Sequence, residues 1–287
     1  MSTLRDIRRR IASVEKTREI TRAMKTVAAV RVRNAQQALF AMRPYADRLA
    51  SMISSLCSHE DRSSHPLLGE REHKNVLLAV LTSDKGLCGP FNSNIIHQSE
   101  KYIGSLSETG TEEVGIIAIG RKGRDYFTRK KYNIVGEYFM FGTVVQFDDA
   151  RRIGDMLIGS FENANVDRVE LIYNHYYSAG KQMVEVQTLL PIAELEQCLY
   201  PGVDYIYEPD RSAILNVLLP LYLDVQVWRI LQESTASEYG ARMTAMELAS
   251  RNCEEVIDRL TLNYNKARQN SITKELIEVV SSAEAFK

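Results

Sequence analysis

Apolar and small residues recur along the first part of the chain at alternating steps of three and four. The series runs Leu4, Ile7, Ile11, Val14, then Ala28, Val32, Ala35, Leu39, Met42, Ala46, Leu49, Ile53 and Leu56, and the same register passes through Arg18, Thr21 and Lys25. A seven-residue repeat sustained this long predicts a helix in a left-handed coiled coil. No glycine precedes Gly69, and Pro44 is the only proline in the stretch. The expected helix covers 1–58. At 1.5 Å of rise per residue it measures about 80 Å, too long for a compact globule of this size.

The end of the chain mirrors the beginning. From Asp210 onward one register reads Ile214, Leu218, Leu221, Val225, Trp228, Thr235, Tyr239, Arg242, Met246, Ala249, Cys253, Val256 and Leu260. Gly240 is the only glycine there and Pro220 the only proline. An unbroken helix over 210–287 measures about 110 Å. Pro44 and Pro220 each lack a backbone donor and are expected to bend or loosen their helices locally.

The middle, 74–209, has another texture. Val76–Leu81, Val114–Ile119, Arg168–Asn174 and Gln182–Leu189 read as strands, the last set off by Ser178-Ala179-Gly180. Helical segments are expected near 91–105, 123–131 and 147–163. Alternating strand and helix indicates an α/β domain. The expected fold is therefore α/β plus coiled coil. A small Rossmann-like domain is inserted between two long helices, which close the molecule most simply by pairing antiparallel.

Composition narrows the function. Hydrophobic residues make up 45% and charged residues 25%, ordinary for a folded protein, and the formal net charge of -1 gives no overall bias toward nucleic acid or acidic lipid. The distribution is less even: residues 1–58 hold twelve Lys or Arg against four Asp or Glu. A segregated basic segment calls for an acidic partner surface. Cys57, Cys88, Cys198 and Cys253 form no CxxC pair, so local sequence offers no zinc or redox motif and points to a reducing compartment. No stretch reads as long and apolar enough to span a bilayer; the best, Ile214 to Val227, is interrupted by Asn216, Pro220 and Asp224. Asp6, Glu15 and Glu19 within the Arg-rich start argue against a transit peptide.

Candidate chemistry is sparse. Ser83–Gly89 follows a strand and contains glycines, but lacks the GxxxxGK[ST] pattern of a phosphate loop. The run from Gly115 to Gly120-Arg121-Lys122 comes nearer, yet Arg121 stands where the motif needs lysine and Lys122 where it needs a hydroxyl. Structural turns are the expectation in both places. Cys88, with no histidine nearby in sequence, is expected as a buried small residue. No cofactor or metal is expected.

The landmark residues resemble one family. Arg10-Ile11-Ala12-Ser13-Val14-Glu15-Lys16-Thr17-Arg18-Glu19-Ile20-Thr21-Arg22-Ala23-Met24-Lys25-Thr26-Val27-Ala28-Ala29 looks like the signature of the gamma, or central-stalk, subunit of F-type ATP synthases. Ser83-Asp84-Lys85-Gly86-Leu87-Cys88-Gly89 resembles that family's loop after the first strand. Arg242-Met243-Thr244-Ala245-Met246 and the stretch from Leu262 to Glu275 are again similar. The resemblance covers essentially the whole chain, most specifically at its two ends.

What the resemblance implies is a non-catalytic shaft, coupling proton-driven rotation of a c ring to conformational change at beta-subunit catalytic sites. The implied partners are the alpha and beta subunits, the epsilon subunit and the c ring, with no nucleic acid. The implied location is the cytoplasmic face of a bacterial inner membrane, peripheral through the c ring. Matching positions assign beta-subunit contacts to Arg18, Arg22, Met24, Lys25, Arg268, Gln269 and Thr273, and c-ring contacts to Tyr205, Tyr207 and Glu208. Each has a plainer reading: a solvated face or coiled-coil specificity break for Arg18, Thr21, Arg22 and Lys25, core for Met24, exposed helix surface for Arg268, Gln269 and Thr273, and a loop of packed tyrosines for 205–209. The thiol-regulated insertion of chloroplast members is not expected, since only Cys198 lies in that region. Two rivals remain: a basic coiled coil that binds nucleic acid, and a nucleotide enzyme built on the α/β domain.

Overall fold

The computed structural model describes residues 4–57, 65–69, 71, 74–108, 110–140, 144–163, 166–192, 208 and 210–285. In chain order the elements are α1 (Leu4–Cys57), β1 (Asn75–Leu81), α2 (Phe91–Glu108), β2 (Glu113–Ile119), α3 (Arg121–Arg129), β3 (Ile134–Tyr138), α4 (Phe147–Asn163), β4 (Arg168–Ser178), β5 (Lys181–Leu190) and α5 (Arg211–Ala285). They form two compact units. One holds Met1–Ala28 with Met243–Lys287, the other Ala29–Arg242.

The larger unit is built on one five-stranded sheet of order β3-β2-β1-β4-β5. The first four strands run parallel, and β5 returns antiparallel to β4 as a hairpin. β1, at the centre, is buried along Val76–Leu81. That apolar run is what a strand covered on both faces requires. Alternate side chains feed two cores. Leu77, Ala79 and Leu81 join α4 and the lengths of α1 and α5 in this unit, where Ile53, Leu157, Phe161 and Leu219 are fully buried. Leu78 and Val80 join Phe91 and Ile95 of α2 and Phe127 of α3 on the other face. Truncating one of these side chains, Ile53→Ala for example, costs about 2–5 kcal/mol.

β3 was not among the expected strands. It is five residues long, half-buried on alternate positions only, and holds Gly136, where an added Cβ would lie 3.0 Å from Met156 Cε. A strand that short, thinned by a close helix crossing, has little hydrophobic signal.

Both long helices run unbroken through their prolines, Pro44 and Pro220. α5 starts on a side-chain cap, the Ala213 N–H donating to Asp210 Oδ1 at 2.8 Å. Contrary to the sequence expectation, α5 does contain a stretch long and apolar enough for a bilayer span. Its buried residues, including Leu215, Leu219, Leu223, Val225, Val227, Ile230 and Leu231, belong to the core of the larger unit, which accounts for the apolarity.

Candidate functional site

In the smaller unit α1 and α5 pair antiparallel. Arg8 Nη2 donates to Tyr264 Oη at 2.8 Å, Arg22 pairs with Glu254, and Lys25 Nζ lies 3.4 Å from Glu247 Oε1. Rising numbers on one helix meet falling numbers on the other. The α1 seam is the one its heptads predict, since Leu4, Ile7, Ile11, Val14, Arg18, Thr21, Lys25 and Ala28 are all buried or half-buried.

The α5 seam departs from expectation. Met246, Ser250, Cys253, Ile257, Leu260, Tyr264, Ala267 and Ser271 face inward, while Val256 is 40% exposed. The inward set keeps the four-three alternation of a heptad throughout. Serines at 250 and 271 hid it, and adjacent Val256 and Ile257 left the phase ambiguous by hydrophobicity alone.

Thr21 is buried and returns its hydroxyl to the Arg18 carbonyl at 2.9 Å. Arg18 is half-buried, and its Nε finds no hydrogen-bond partner among the described residues. Met24 is half-buried as well. Arg22 and Lys25 already have carboxylate partners within the chain. Hydrogen bonding and charge from Lys25 hold the Glu247 carboxyl below its ordinary range. The Arg22 and Glu254 side chains are 59% and 43% exposed, so water competes for both and a partner's carboxylate can exchange for Glu254 at little cost.

Farther along α5, Arg268, Gln269 and Thr273 are exposed, and the Thr273 hydroxyl donates to the Gln269 carbonyl at 2.9 Å. The seven assigned residues of this unit thus fall in two groups: Arg18, Arg22, Met24 and Lys25 along α1, and Arg268, Gln269 and Thr273 on α5. Leu4, Ile7, Arg10, Ala267, Ser271 and Lys274 line an open groove of about 710 Å³ between the helices. Of the assigned foot, Glu208 is exposed, and Tyr205 and Tyr207 lie outside the described residues.

The crevice at the ends of β1 and β2, where a nucleotide enzyme would bind phosphate, is filled by the chain itself. Gly120, at φ 97°, crosses β1 so closely that a Cβ would lie 2.1 Å from the Thr82 carbonyl oxygen. The first three amides of α3 are all taken: Arg121 N–H by Asp84 Oδ1 at 2.9 Å, Lys122 N–H by the Ser83 carbonyl at 3.2 Å, and Gly123 N–H by Thr82 Oγ1 at 2.8 Å. A phosphate at this helix N-terminus would have to displace them. The Ser83–Gly89 loop is likewise self-satisfied. Asn92 accepts the Ser83 N–H at 2.9 Å and donates to Ser83 Oγ at 2.8 Å, and Cys88 is buried, which pushes its thiol up. Both motif candidates are structural turns. Among the described residues no group of three His, Cys, Asp or Glu is placed to hold a metal.

The sequence matches the family described as ATP synthase over residues 3–286. It is 43% identical to the ATP synthase gamma chain of Moorella thermoacetica, over the full length of both chains. The structure resembles a central stalk/c-ring chain of the Tetrahymena thermophila mitochondrial ATP synthase, with TM-score 0.63, 30% identity, and coverage of 80% of this chain and 99% of that one. It also shares the fold of a chain in the Euglena gracilis mitochondrial ATP synthase, with TM-score 0.67, 19% identity, and coverage of 99% and 94%. A paired-helix unit, a sheet unit with a self-filled crevice, and full-length identity of this order leave one assignment: the chain belongs to the gamma-chain family of F-type ATP synthases, the subunit of the central stalk.

Proposed function

We propose that this chain is the rotor shaft that couples proton-driven rotation of a c ring to conformational changes at beta-subunit catalytic sites, and that it performs no catalysis itself. The observation that carries the reading is the far end of α5. Ile272, Leu276, Ile277, Val279 and Val280 are each 47–67% exposed, spread over nearly half the helix circumference. An apolar face of that width marks a surface enclosed by other proteins. A ring of alpha and beta subunits is the enclosure the family implies, with the epsilon subunit and the c ring contacting the sheet-bearing unit. The c ring would hold the chain at the cytoplasmic face of a bacterial inner membrane.

A partner shifts a conformational equilibrium only by its differential affinity for the states. Swinging a catalytic site from mostly open to mostly closed takes about 5.5 kcal/mol of such difference. A shaft whose sides differ can supply it to three identical subunits in turn. On this reading Arg18, Arg22, Met24 and Lys25 meet the beta subunits along α1, and Arg268, Gln269 and Thr273 meet a beta-subunit loop near the end of α5. Tyr205, Tyr207 and Glu208 meet the c ring.

Once enclosed, an unpaired polar side chain costs about 1–3 kcal/mol, so Arg268 and Gln269 must be hydrogen-bonded by the ring. Arg268→Leu and Gln269→Leu should each lower ATP hydrolysis or assembly about tenfold or more in reconstituted complexes. The exposed control Glu278→Gln should do little. Wild-type rates and assembly in both leucine variants would reduce Arg268 and Gln269 to surface residues.

A further inference from the structure

α5 carries one glycine, Gly240, and the structure shows what requires it. A Cβ there would lie 3.1 Å from the carbonyl oxygen of Ala179, 3.2 Å from its Cα and 3.3 Å from Gln182 Nε2. Ala179 is at the tip of the β4–β5 hairpin, so the turn rests on bare helix backbone. The turn is braced from within, with Gln182 Nε2 donating to the carbonyls of Ala179 at 2.7 Å and Ser178 at 3.2 Å. A stiff loop pressed into a glycine notch resists both sliding and rotation of the helix, because a side chain stands on either side of the notch.

Neighbouring contacts hold the same few turns of α5. Ser237 is fully buried and donates its hydroxyl to the Asn174 carbonyl of β4 at 3.0 Å. Arg242 Nη2 donates to the Gly86 carbonyl of the Ser83–Gly89 loop at 3.2 Å, while its Nη1 pairs with Glu238 at 2.6 Å. Lower on the helix, Arg229 donates to Gln187 of β5 at 2.9 Å. The same hairpin reaches α1, where Gln36 Nε2 donates to Tyr176 Oη at 2.8 Å. All of these residues belong to the larger unit, and α5 passes into the smaller one at Met243.

We infer that the β4–β5 hairpin tip seated in the Gly240 notch, with Ser237 and Arg242 on either side of it in sequence, is the grip through which torque passes between the α/β domain and α5. The inference rests on the rotor reading. It adds that Gly240, Ala179 and Gln182 are positioning residues, and that hairpin and helix stay in fixed contact throughout turnover. Gly240→Val fills the notch and lifts the hairpin. Gln182→Ala loosens the turn while leaving the helix intact.

The test uses the complete membrane-bound complex. Gly240→Val and, more weakly, Gln182→Ala should lower protons pumped per ATP hydrolysed several-fold, with hydrolysis itself little changed. A cysteine pair, Ala179→Cys with Gly240→Cys, brings the two backbones within disulfide reach. The cysteine at 240 also fills the notch, so the reduced pair shares the pumping loss of Gly240→Val and serves as its own reference. Oxidation, which ties hairpin to helix covalently, should leave turnover at the rate of the reduced form. An unchanged pumping ratio in Gly240→Val, or arrest of turnover on oxidation of the pair, overturns the grip: the first because torque passes elsewhere, the second because hairpin and helix must part. If Gly240→Val does not assemble, Gln182→Ala, which leaves the notch empty, decides the question: an unchanged pumping ratio in it overturns the grip. Absence of the wild-type chain from a complex with larger ATPase subunits would instead sink the rotor reading, a failure distinct from either.

Discussion

Asp224 is a carboxylate in the wrong place for an ordinary stability argument, and its behaviour is calculable. It sits on α5 where that helix crosses α4, 7% exposed, against Gly154. A Cβ on Gly154 would fall 2.0 Å from Asp224 Oδ1, and that oxygen has no hydrogen-bond partner among the described residues. Burial, and then the nearby charge of Asp155, push its pKa from the ordinary 3.8 up to about 6, against a smaller pull from Arg151. At about 1.4 kcal/mol per pH unit, holding Asp224 charged in the folded unit costs about 3 kcal/mol.

The sign is the reverse of the common carboxylate case. Below pH 4 both folded and unfolded chains are protonated there, and no penalty applies. Between about pH 4 and 6 the folded chain keeps its proton while the unfolded chain has lost it, so stability falls as pH rises. Above pH 6 the penalty is complete and constant. Asp224→Asn keeps the shape and removes the charge, so the variant should lack this pH-dependent loss. The measurement is urea unfolding of the full chain, kept monodisperse by Leu276→Gln with Val280→Gln, from pH 4 to 8, followed by fluorescence of Trp228, the only tryptophan, one turn away. Asn itself places an amide in a dry site, so the decisive quantity is the wild-type loss between pH 4 and 8 minus the variant's loss. About 3 kcal/mol is expected; parallel pH curves for the two proteins would refute the buried-charge account.

Three further outcomes follow. The exposed Arg22–Glu254 pair should show a coupling below about 1 kcal/mol in a double-mutant cycle; a larger value would mean that it cannot exchange partners as a rotating contact requires. The isolated chain should self-associate through the end of α5, and Leu276→Gln with Val280→Gln should raise the concentration at which it stays monodisperse; a concentrated monomer of wild type would count against an enclosed shaft. Cysteine at Tyr207 or Glu208 should cross-link to the c subunit in assembled complexes and stop coupled turnover, whereas failure of both positions to reach it would misplace the foot.

Much of this fold is legible in the amino-acid sequence. The α1 register needs only the 3.5-residue period, and every position from Leu4 to Leu56 in that series is buried or half-buried. The central strands β1, β2 and β4 announce themselves as apolar runs, because burial on both faces leaves no room for alternation. α5 was harder for a physical reason. Where it crosses the sheet it is enclosed on most sides, so Gln232, Glu233, Ser234 and Ser237 are all buried, and polarity there no longer signals solvent. For Gln232, Glu233 and Ser237 the partners come from β4, from Val145 and from Arg229 on the same helix, a set that no periodicity can name.

Gly240 stands out in sequence as a helix-interior glycine, a residue that costs about 1 kcal/mol relative to alanine. The hairpin that explains it lies far away along the chain. Polar residues on one helix therefore divide into two kinds that look alike in sequence. Ser237 and Arg242 are buried and satisfied within the chain, so they act on the fold. Arg268 and Gln269 are exposed on a stretch whose apolar neighbours are exposed with them. Solvent alone would not favour that combination, because water gains nothing from Ile272 and Leu276. A second protein surface satisfies both kinds of group at once, burying the leucine and isoleucine while accepting the hydrogen bonds. On the proposed rotor reading, the intermolecular face therefore belongs at the end of α5 and the intramolecular grip at its middle.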